Sequence, residues 1–139
     1  MKLRNATLAF LLASVSLQAD AAPDVRPGMW ETTVKTEMPG MPGAMPPMTH
    51  RYCLRKEDLV PKTNQPGQEC KMVENKLTGN TMTWRVRCES RGTVSNGTGN
   101  ITYSGNTYKG TIEIEMSEGG GQPVKMIQHL EGKRVGDCK

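Results

Sequence analysis

The stretch of sequence that decides the fold is CKMVENKLTGNTMTWRVRC, which runs from Cys70 to Cys88. At its centre, Thr78-Gly79-Asn80 carries turn-forming residues of the kind that join two antiparallel strands. After this turn, apolar and polar residues alternate from Met82 to Arg87. Alternation with a period of two is typical of a half-buried strand, so the stretch predicts a β-hairpin.

The turn also predicts which residues face each other across this hairpin. If the hairpin is symmetric about Gly79, its two strands are in a fixed register. The predicted opposite pairs are Cys70 with Cys88, Met72 with Val86, and Glu74 with Trp84. Because opposite Cβ atoms in an antiparallel pair are about 4.5–5.5 Å apart, two cysteines placed there need only a small adjustment to form a disulfide.

The four cysteines are therefore interpreted as two structural disulfides. Cys70 pairs with Cys88 across the hairpin, and Cys53 and Cys138 then pair by elimination. The main alternative is a Cys53–Cys70 bridge that closes the loop between them. No Cys-x-x-Cys motif is present, which disfavours a redox or zinc site.

The same alternation continues on both sides of the hairpin. Residues 30–37 and 111–116 alternate apolar or small side chains with charged or polar ones, and further glycine turns occur at Gly105 and at 119–121. The predicted strands are 28–38, 47–54, 69–77, 81–89, 92–103, 107–117 and 123–134, with one helical turn at 55–60. Short antiparallel strands must protect their edges. The sequence thus predicts an all-β antiparallel meander of about seven strands, which forms a curved sheet or a small barrel cross-linked by disulfides.

Few large apolar side chains are available for the core of this sheet. The single Phe lies near the N-terminus, outside the predicted domain. Most of the large core volume must come from the aromatic residues of the domain, which are Trp30, Trp84, Tyr52, Tyr103 and Tyr108. Disulfides help to stabilise a core of this size.

The N-terminal residues 1–21 have the pattern of a secretory signal peptide. Lys2 and Arg4 precede an apolar run from Ala6 to Leu17, and small residues follow at Ala19 and Ala21. The run is shorter than the roughly 20 residues that span a bilayer, so no stable membrane insertion is expected. We expect an exported, periplasmic protein with one β domain over residues 22–139.

Charge and motif content exclude several functions. The chain has 18 Lys and Arg against 14 Asp and Glu, a net charge of +4, and the basic residues are scattered among acidic ones. A nucleic-acid site is therefore not expected. Known hydrolase, metalloprotease and nucleotide-binding motifs are absent, and His50 and His129 are the only histidines. We expect that the protein is not an enzyme and has no bound cofactor.

Residues 38–50 form the most unusual segment, MPGMPGAMPPMTH. Its proline and glycine content excludes a regular helix or an interior strand, so it is predicted to be an exposed loop. The candidate metal ligands in it are Met38, Met41, Met45, Met48 and His50. Thioethers and an imidazole suit Cu(I) or Ag(I). The alternative is that the methionines cover one end of the sheet or contact an apolar partner.

Several short stretches together resemble one family of small exported proteobacterial proteins, domain of unknown function 3617. The resemblance rests on PGMWE at 27–31, the Met-Pro-Gly loop, the spacing of Cys53, Cys70 and Cys88, ITYSG at 101–105, and GDCK at 136–139. It covers nearly all of residues 22–139. It implies a periplasmic location and brings no catalytic residues to this sequence.

The sequence as a whole therefore favours a binding or structural module. Its expected partner is an envelope protein or a small apolar ligand held in the concavity of the sheet. Two other hypotheses stay open, namely Cu(I) or Ag(I) binding by the methionine loop and an uncharacterised enzyme activity.

Overall fold

The computed structural model describes residues 22–43, 45–59 and 67–139. The predicted signal peptide, residues 1–21, lies outside the described residues. Seven strands make up one antiparallel sheet. They are β1 (Gly28–Glu37), β2 (Met48–Leu54), β3 (Glu69–Thr78), β4 (Thr81–Ser90), β5 (Thr93–Ser104), β6 (Thr107–Glu118) and β7 (Val124–Gly136).

The sheet has the spatial order β2-β1-β7-β6-β5-β4-β3. Strands β3 to β7 follow one another as a meander, and β1 then pairs with β7 and carries β2 on its other side. The all-β meander of seven strands is confirmed. The sheet is not closed, because β2 and β3 lie at opposite edges, so the fold is the open sheet and not the small barrel.

The β3–β4 hairpin confirms most of the predicted register and corrects one pair. Cys70 lies opposite Cys88 and Met72 opposite Val86, as predicted, but Trp84 lies opposite Asn75 and not Glu74. The loop has two residues, with Thr78 opposite Thr81, so the hairpin is not symmetric about Gly79.

A β-bulge between Met72 and Glu74 restores the predicted register before it reaches the cysteines. The extra residue, Val73, shifts the strand by one position, which reverses the direction of each later side chain. Glu74 is thereby removed from the apolar face that holds Trp84. Its carboxylate instead lies 2.9 Å from the Arg85 guanidinium on the solvated face. The bulge thus pairs Glu74 with Arg85 in place of Trp84.

Both predicted disulfides are confirmed. Cys70 bonds to Cys88 with 4.0 Å between the Cα atoms, and Cys53 bonds to Cys138 with a Cα separation of 5.5 Å. The alternative Cys53–Cys70 bridge is wrong. The second disulfide attaches the edge strand β2 to the chain that follows β7.

The core lies on one face of the sheet and is mainly aromatic. Trp30 is completely buried and Trp84 is 3% exposed, which confirms the predicted inward direction of both. The Trp30 ring stacks on Tyr108 with 5.4 Å between the ring centroids, and Tyr103 meets Tyr108 edge-on at 5.9 Å. Tyr52, on the edge strand, is only partly buried.

Two glycines allow these rings to lie flat against the sheet. Gly132 is opposite Tyr108, and a Cβ atom there would be 2.1 Å from the Tyr108 ring. Gly99 is opposite Trp84, and a Cβ atom there would be 2.2 Å from the indole. Both distances are far below van der Waals contact, so any larger residue would displace a core ring.

Residues 55–59, which follow β2 and are here called the crossing segment, pass from the edge strand β2 to Tyr103 on β5. They contain a 3₁₀ turn, Lys56–Asp58, inside the predicted helical turn. Leu59 packs against the core, and the Tyr103 hydroxyl donates a hydrogen bond of 3.0 Å to the Leu59 carbonyl. This segment therefore lies over the same face as the aromatic core.

Candidate ligand-binding site

A cavity of about 430 Å³ lies on the core face, beside the segment that follows β2. Its size falls within the range of pockets for small molecules. The residues that line it come from β1, β2, β5, β6, β7 and the crossing segment, and they are Thr32, His50, Tyr52, Cys53, Leu54, Asp58, Leu59, Ile101, Tyr103, Tyr108, Ile112 and Leu130. Because widely separated strands face one space, this side of the sheet is concave.

Five of the twelve described residues that line the cavity are aliphatic. They are Leu54, Leu59, Ile101, Ile112 and Leu130. The strand residues among them belong to the inward-facing set of the alternating pattern. Ile112 and Leu130 are only partly buried, although both pack against the core. Apolar surface that stays in contact with water is a source of binding free energy when a ligand covers it.

A chain of three hydroxyl groups lies at one side of the cavity. The Tyr108 hydroxyl is hydrogen-bonded to the Thr32 hydroxyl on β1 and, at 3.0 Å, to the Tyr52 hydroxyl on β2. Thr32 is 1% exposed and Tyr108 is 3% exposed, whereas Tyr52 stays partly exposed. The hydroxyl chain therefore begins with the buried hydroxyls of Thr32 and Tyr108 and ends at the partly exposed Tyr52.

The Tyr103 and Tyr108 phenols are neutral at neutral pH, because burial raises their pKa values. Burial raises the pKa of Tyr103 to about 12. Burial also raises the pKa of Tyr108 well above its ordinary value, and the hydrogen bond from Thr32 opposes this only in part. Desolvation has this effect because it disfavours the charged phenolate. The site thus offers uncharged groups that both donate and accept hydrogen bonds.

The predicted metal ligands are divided between a loop and strand β2. Met38, Met41 and Met45 lie in the β1–β2 loop, where the Met41 amide donates to the Met38 carbonyl at 3.1 Å. Met48 and His50 lie two residues apart on β2. The His50 ring stacks on Tyr52, with 5.8 Å between the centroids, and lines the cavity. The structure thus places His50 with the hydroxyl chain.

Three of the methionines point into solvent. Met41, Met45 and Met48 are 65%, 47% and 71% exposed. The expectation that these side chains cover one end of the sheet is therefore wrong for them, since covered side chains would be buried. Among the described residues, no group of three or more His, Cys, Asp and Glu side chains is placed to hold a metal ion. That finding does not bear on a site built from thioethers.

The sequence did not indicate the hydroxyl chain or the role of Leu59. Thr32 and Tyr108 are 76 positions apart, and Tyr52 and Tyr108 are 56 apart, so no local motif unites them. The only signal available was the inward position of Thr32 and Tyr52 in their alternating strands.

Two features bear on where the protein works. Its two disulfides are typical of an oxidising compartment outside the cytoplasm. Within the described part of the chain, no helix is long and apolar enough to cross a membrane.

A family model described as "Protein of unknown function (DUF3617)" matches residues 25–138. The match covers the whole sheet, both disulfides and the cavity, so the chain belongs to this family, and the resemblance drawn from the sequence is confirmed. No curated protein and no solved structure matches the chain.

Proposed function

We propose that this member of the DUF3617 family is a binding module that holds a small, largely apolar ligand in the concave face of its sheet. The observation that carries the proposal is the cavity of about 430 Å³, which has aliphatic walls and a chain of neutral hydroxyls at one side. A mainly apolar wall with a few oriented polar groups is the usual composition of a small-molecule site.

The partial exposure of the walls supports this function. A purely structural sheet of this size gains stability by burying its inward-facing aliphatic side chains completely. Here Ile112 and Leu130 remain partly accessible, while the neighbouring Ile101 and Tyr103 are buried. A ligand would cover the accessible surface and gain the corresponding hydrophobic free energy.

The groups that face the cavity favour binding over catalysis. Most of them are alkyl side chains and protonated phenols, which hold and orient a ligand but are poor nucleophiles. We therefore propose a binding protein and not an enzyme. The disulfides and the signal-like residues 1–21 further support export to the periplasm, where the module would carry an apolar compound or present it to an envelope protein.

The test is a fluorescence titration with N-phenyl-1-naphthylamine, a neutral apolar probe that becomes fluorescent in a dry site. Two variants on adjacent residues of β6 give a matched comparison. Ile112→Trp fills the cavity, whereas Glu113→Trp adds the same ring on the opposite, exposed face, where Glu113 lies 2.8 Å from Lys125.

We expect saturable probe binding in the unmodified protein and in Glu113→Trp, and at least a tenfold loss of affinity in Ile112→Trp, about 1.4 kcal/mol. Circular dichroism checks that both variants fold. If the two folded variants bound the probe with equal affinity, or if the unmodified protein showed no saturable binding, the proposed function would be wrong.

A second candidate function is Cu(I) or Ag(I) binding by the methionine loop. The observation that favours it is the exposure of Met41, Met45 and Met48, whose sulfur atoms are accessible to an ion. Cu(I) competition against a chromogenic chelator tests it. Replacing these three residues with Leu keeps their bulk and removes the sulfur, so capture of one equivalent should be lost. If the unmodified protein fails to compete even with a weak chelator, the metal function is wrong.

A further inference from the structure

The hydroxyl chain in the cavity determines which polar group the ligand carries, if the proposed ligand-binding function holds. Three hydroxyls, those of Thr32, Tyr108 and Tyr52, share two hydrogen bonds. Each hydroxyl has one hydrogen, so when both hydrogen bonds run in the same direction, two hydrogens are used within the chain and the third belongs to a terminal hydroxyl. If both ends donated to Tyr108, the third hydrogen would belong to the buried Tyr108 hydroxyl. The Thr32 end is completely buried.

The Tyr52 end is the most accessible part of this hydroxyl chain. All three residues line the cavity, but Tyr52 is partly exposed, whereas Thr32 and Tyr108 are buried. When the chain runs from Thr32 through Tyr108 to Tyr52, the Tyr52 hydroxyl donates its hydrogen outward. When the chain runs the other way, Tyr52 donates to Tyr108 and accepts a hydrogen bond from outside. The same position therefore serves a carbonyl and a hydroxyl group.

The charges around the cavity argue against an acidic ligand. Of the described residues that line it, none is Lys or Arg, and the ring of the one basic residue, His50, stacks on Tyr52. Moving an anion from water into an apolar site costs several kcal/mol or more unless a cation pairs with it. A neutral polar group carries a much smaller penalty, which one hydrogen bond offsets.

From these contacts we infer that Tyr52 is a specificity-determining residue, and that the ligand is an apolar molecule with one neutral oxygen group, such as an alcohol, a ketone or an ester. A fatty acid with the same hydrocarbon chain is rejected. The aliphatic walls hold the hydrocarbon, and the Tyr52 hydroxyl binds the oxygen.

The experiment compares compounds with the same eight-carbon chain at pH 7. Calorimetry or probe displacement measures the affinities of 1-octanol, 2-octanone and octanoate. We expect the alcohol and the ketone to bind at least about tenfold more tightly than octanoate, because no Lys or Arg among the described residues lines the cavity to pair with the carboxylate.

A hydroxyl deletion on β2 isolates the role of Tyr52. Tyr52→Phe should weaken the binding of 1-octanol about tenfold, because the loss of one hydrogen bond removes about 1.4 kcal/mol of binding free energy. Thr49→Val is the matched control, since it removes a hydroxyl from the same strand on the outer face, where Thr49 bonds to Thr33 at 3.2 Å. It should leave octanol binding unchanged.

The outcomes separate this inference from the function on which it depends. Octanoate binding as tightly as octanol, or an unchanged octanol affinity in folded Tyr52→Phe, overturns the inference while apolar binding stands. If neither the octyl compounds nor the naphthylamine probe binds, the proposed function itself fails. If Tyr52→Phe does not fold, the comparison of octanol with octanoate on the unmodified protein still tests whether the cavity rejects the acid.

Discussion

Replacing Gly132 with Ala tests how the core and the site depend on one close approach. The added Cβ atom would lie 2.1 Å from the Tyr108 ring, so the ring must move away from the sheet. Overpacking of this kind costs about 1–3 kcal/mol. Removal of a glycine from a strand returns about 0.5–1 kcal/mol. We therefore expect Gly132→Ala to lower the free energy of unfolding by about 1–2 kcal/mol.

Urea denaturation followed by tryptophan fluorescence measures this change, because Trp30 stacks on the ring that must move. Gly136→Ala is the control, since it lies in the same strand and its added Cβ atom would have no atom within 4 Å. Gly136→Ala should therefore show only the gain of about 0.5–1 kcal/mol from removing a strand glycine. If the two variants unfold at the same urea concentration, the close contact between Gly132 and Tyr108 does not exist as described.

Three further predictions concern the core, the pH dependence and the disulfides. Chemical denaturation should show that Trp84→Ala lowers the free energy of unfolding by about 3–5 kcal/mol, because it empties a buried site, and that Arg85→Ala lowers it by less than about 1 kcal/mol, because its ion pair is exposed. If Arg85→Ala were the more destabilising variant, β4 would have its opposite face turned to the core. Burial raises the pKa of Tyr103 from 10.0 to about 12, so the stability that its protonated form contributes is complete below pH 10 and is lost as the pH rises towards 12. The urea midpoint should therefore fall less steeply with pH over this range in Tyr103→Phe, and an equally steep fall in the variant would contradict the effect of burial. Cys88→Ala should cost about 2–5 kcal/mol and leave the Cys70 thiol free to cross-link dimers, which a non-reducing gel would detect; a variant as stable as the parent would show that this disulfide adds nothing.

The sequence was sufficient to predict the strands because they depend on local patterns, and alternation of period two gave the inward direction of Trp30 and Trp84. The predicted alignment of Cys70 with Cys88 was right because the bulge at Val73 compensates for a one-position error in the predicted turn. The local bulge at Val73 could not be predicted from periodicity. It inserts one residue into β3 and places Glu74 opposite Arg85, a pairing that regular alternation does not contain.

The site could not be predicted in the same way, because it is assembled by the order of the strands. Pairing of β1 with β7 brings Thr32 beside Gly132, and the neighbouring β6 then brings Tyr108 to the same place. The crossing segment, residues 55–59, leaves β2 at one edge and places Leu59 against the core on this face. Neither contact has a signature in nearby sequence.

Binding of an apolar ligand in the concave face can be observed by methyl NMR. In a titration with 1-octanol, we expect saturable shifts of the methyl groups that line the cavity, which are those of Leu54, Leu59, Ile101, Ile112 and Leu130. Val73 and Val135 are exposed outside the cavity, and their methyl signals should not move. Shifts confined to Val73 and Val135, or no saturable shift at any methyl group, would show that 1-octanol does not bind in the concave face.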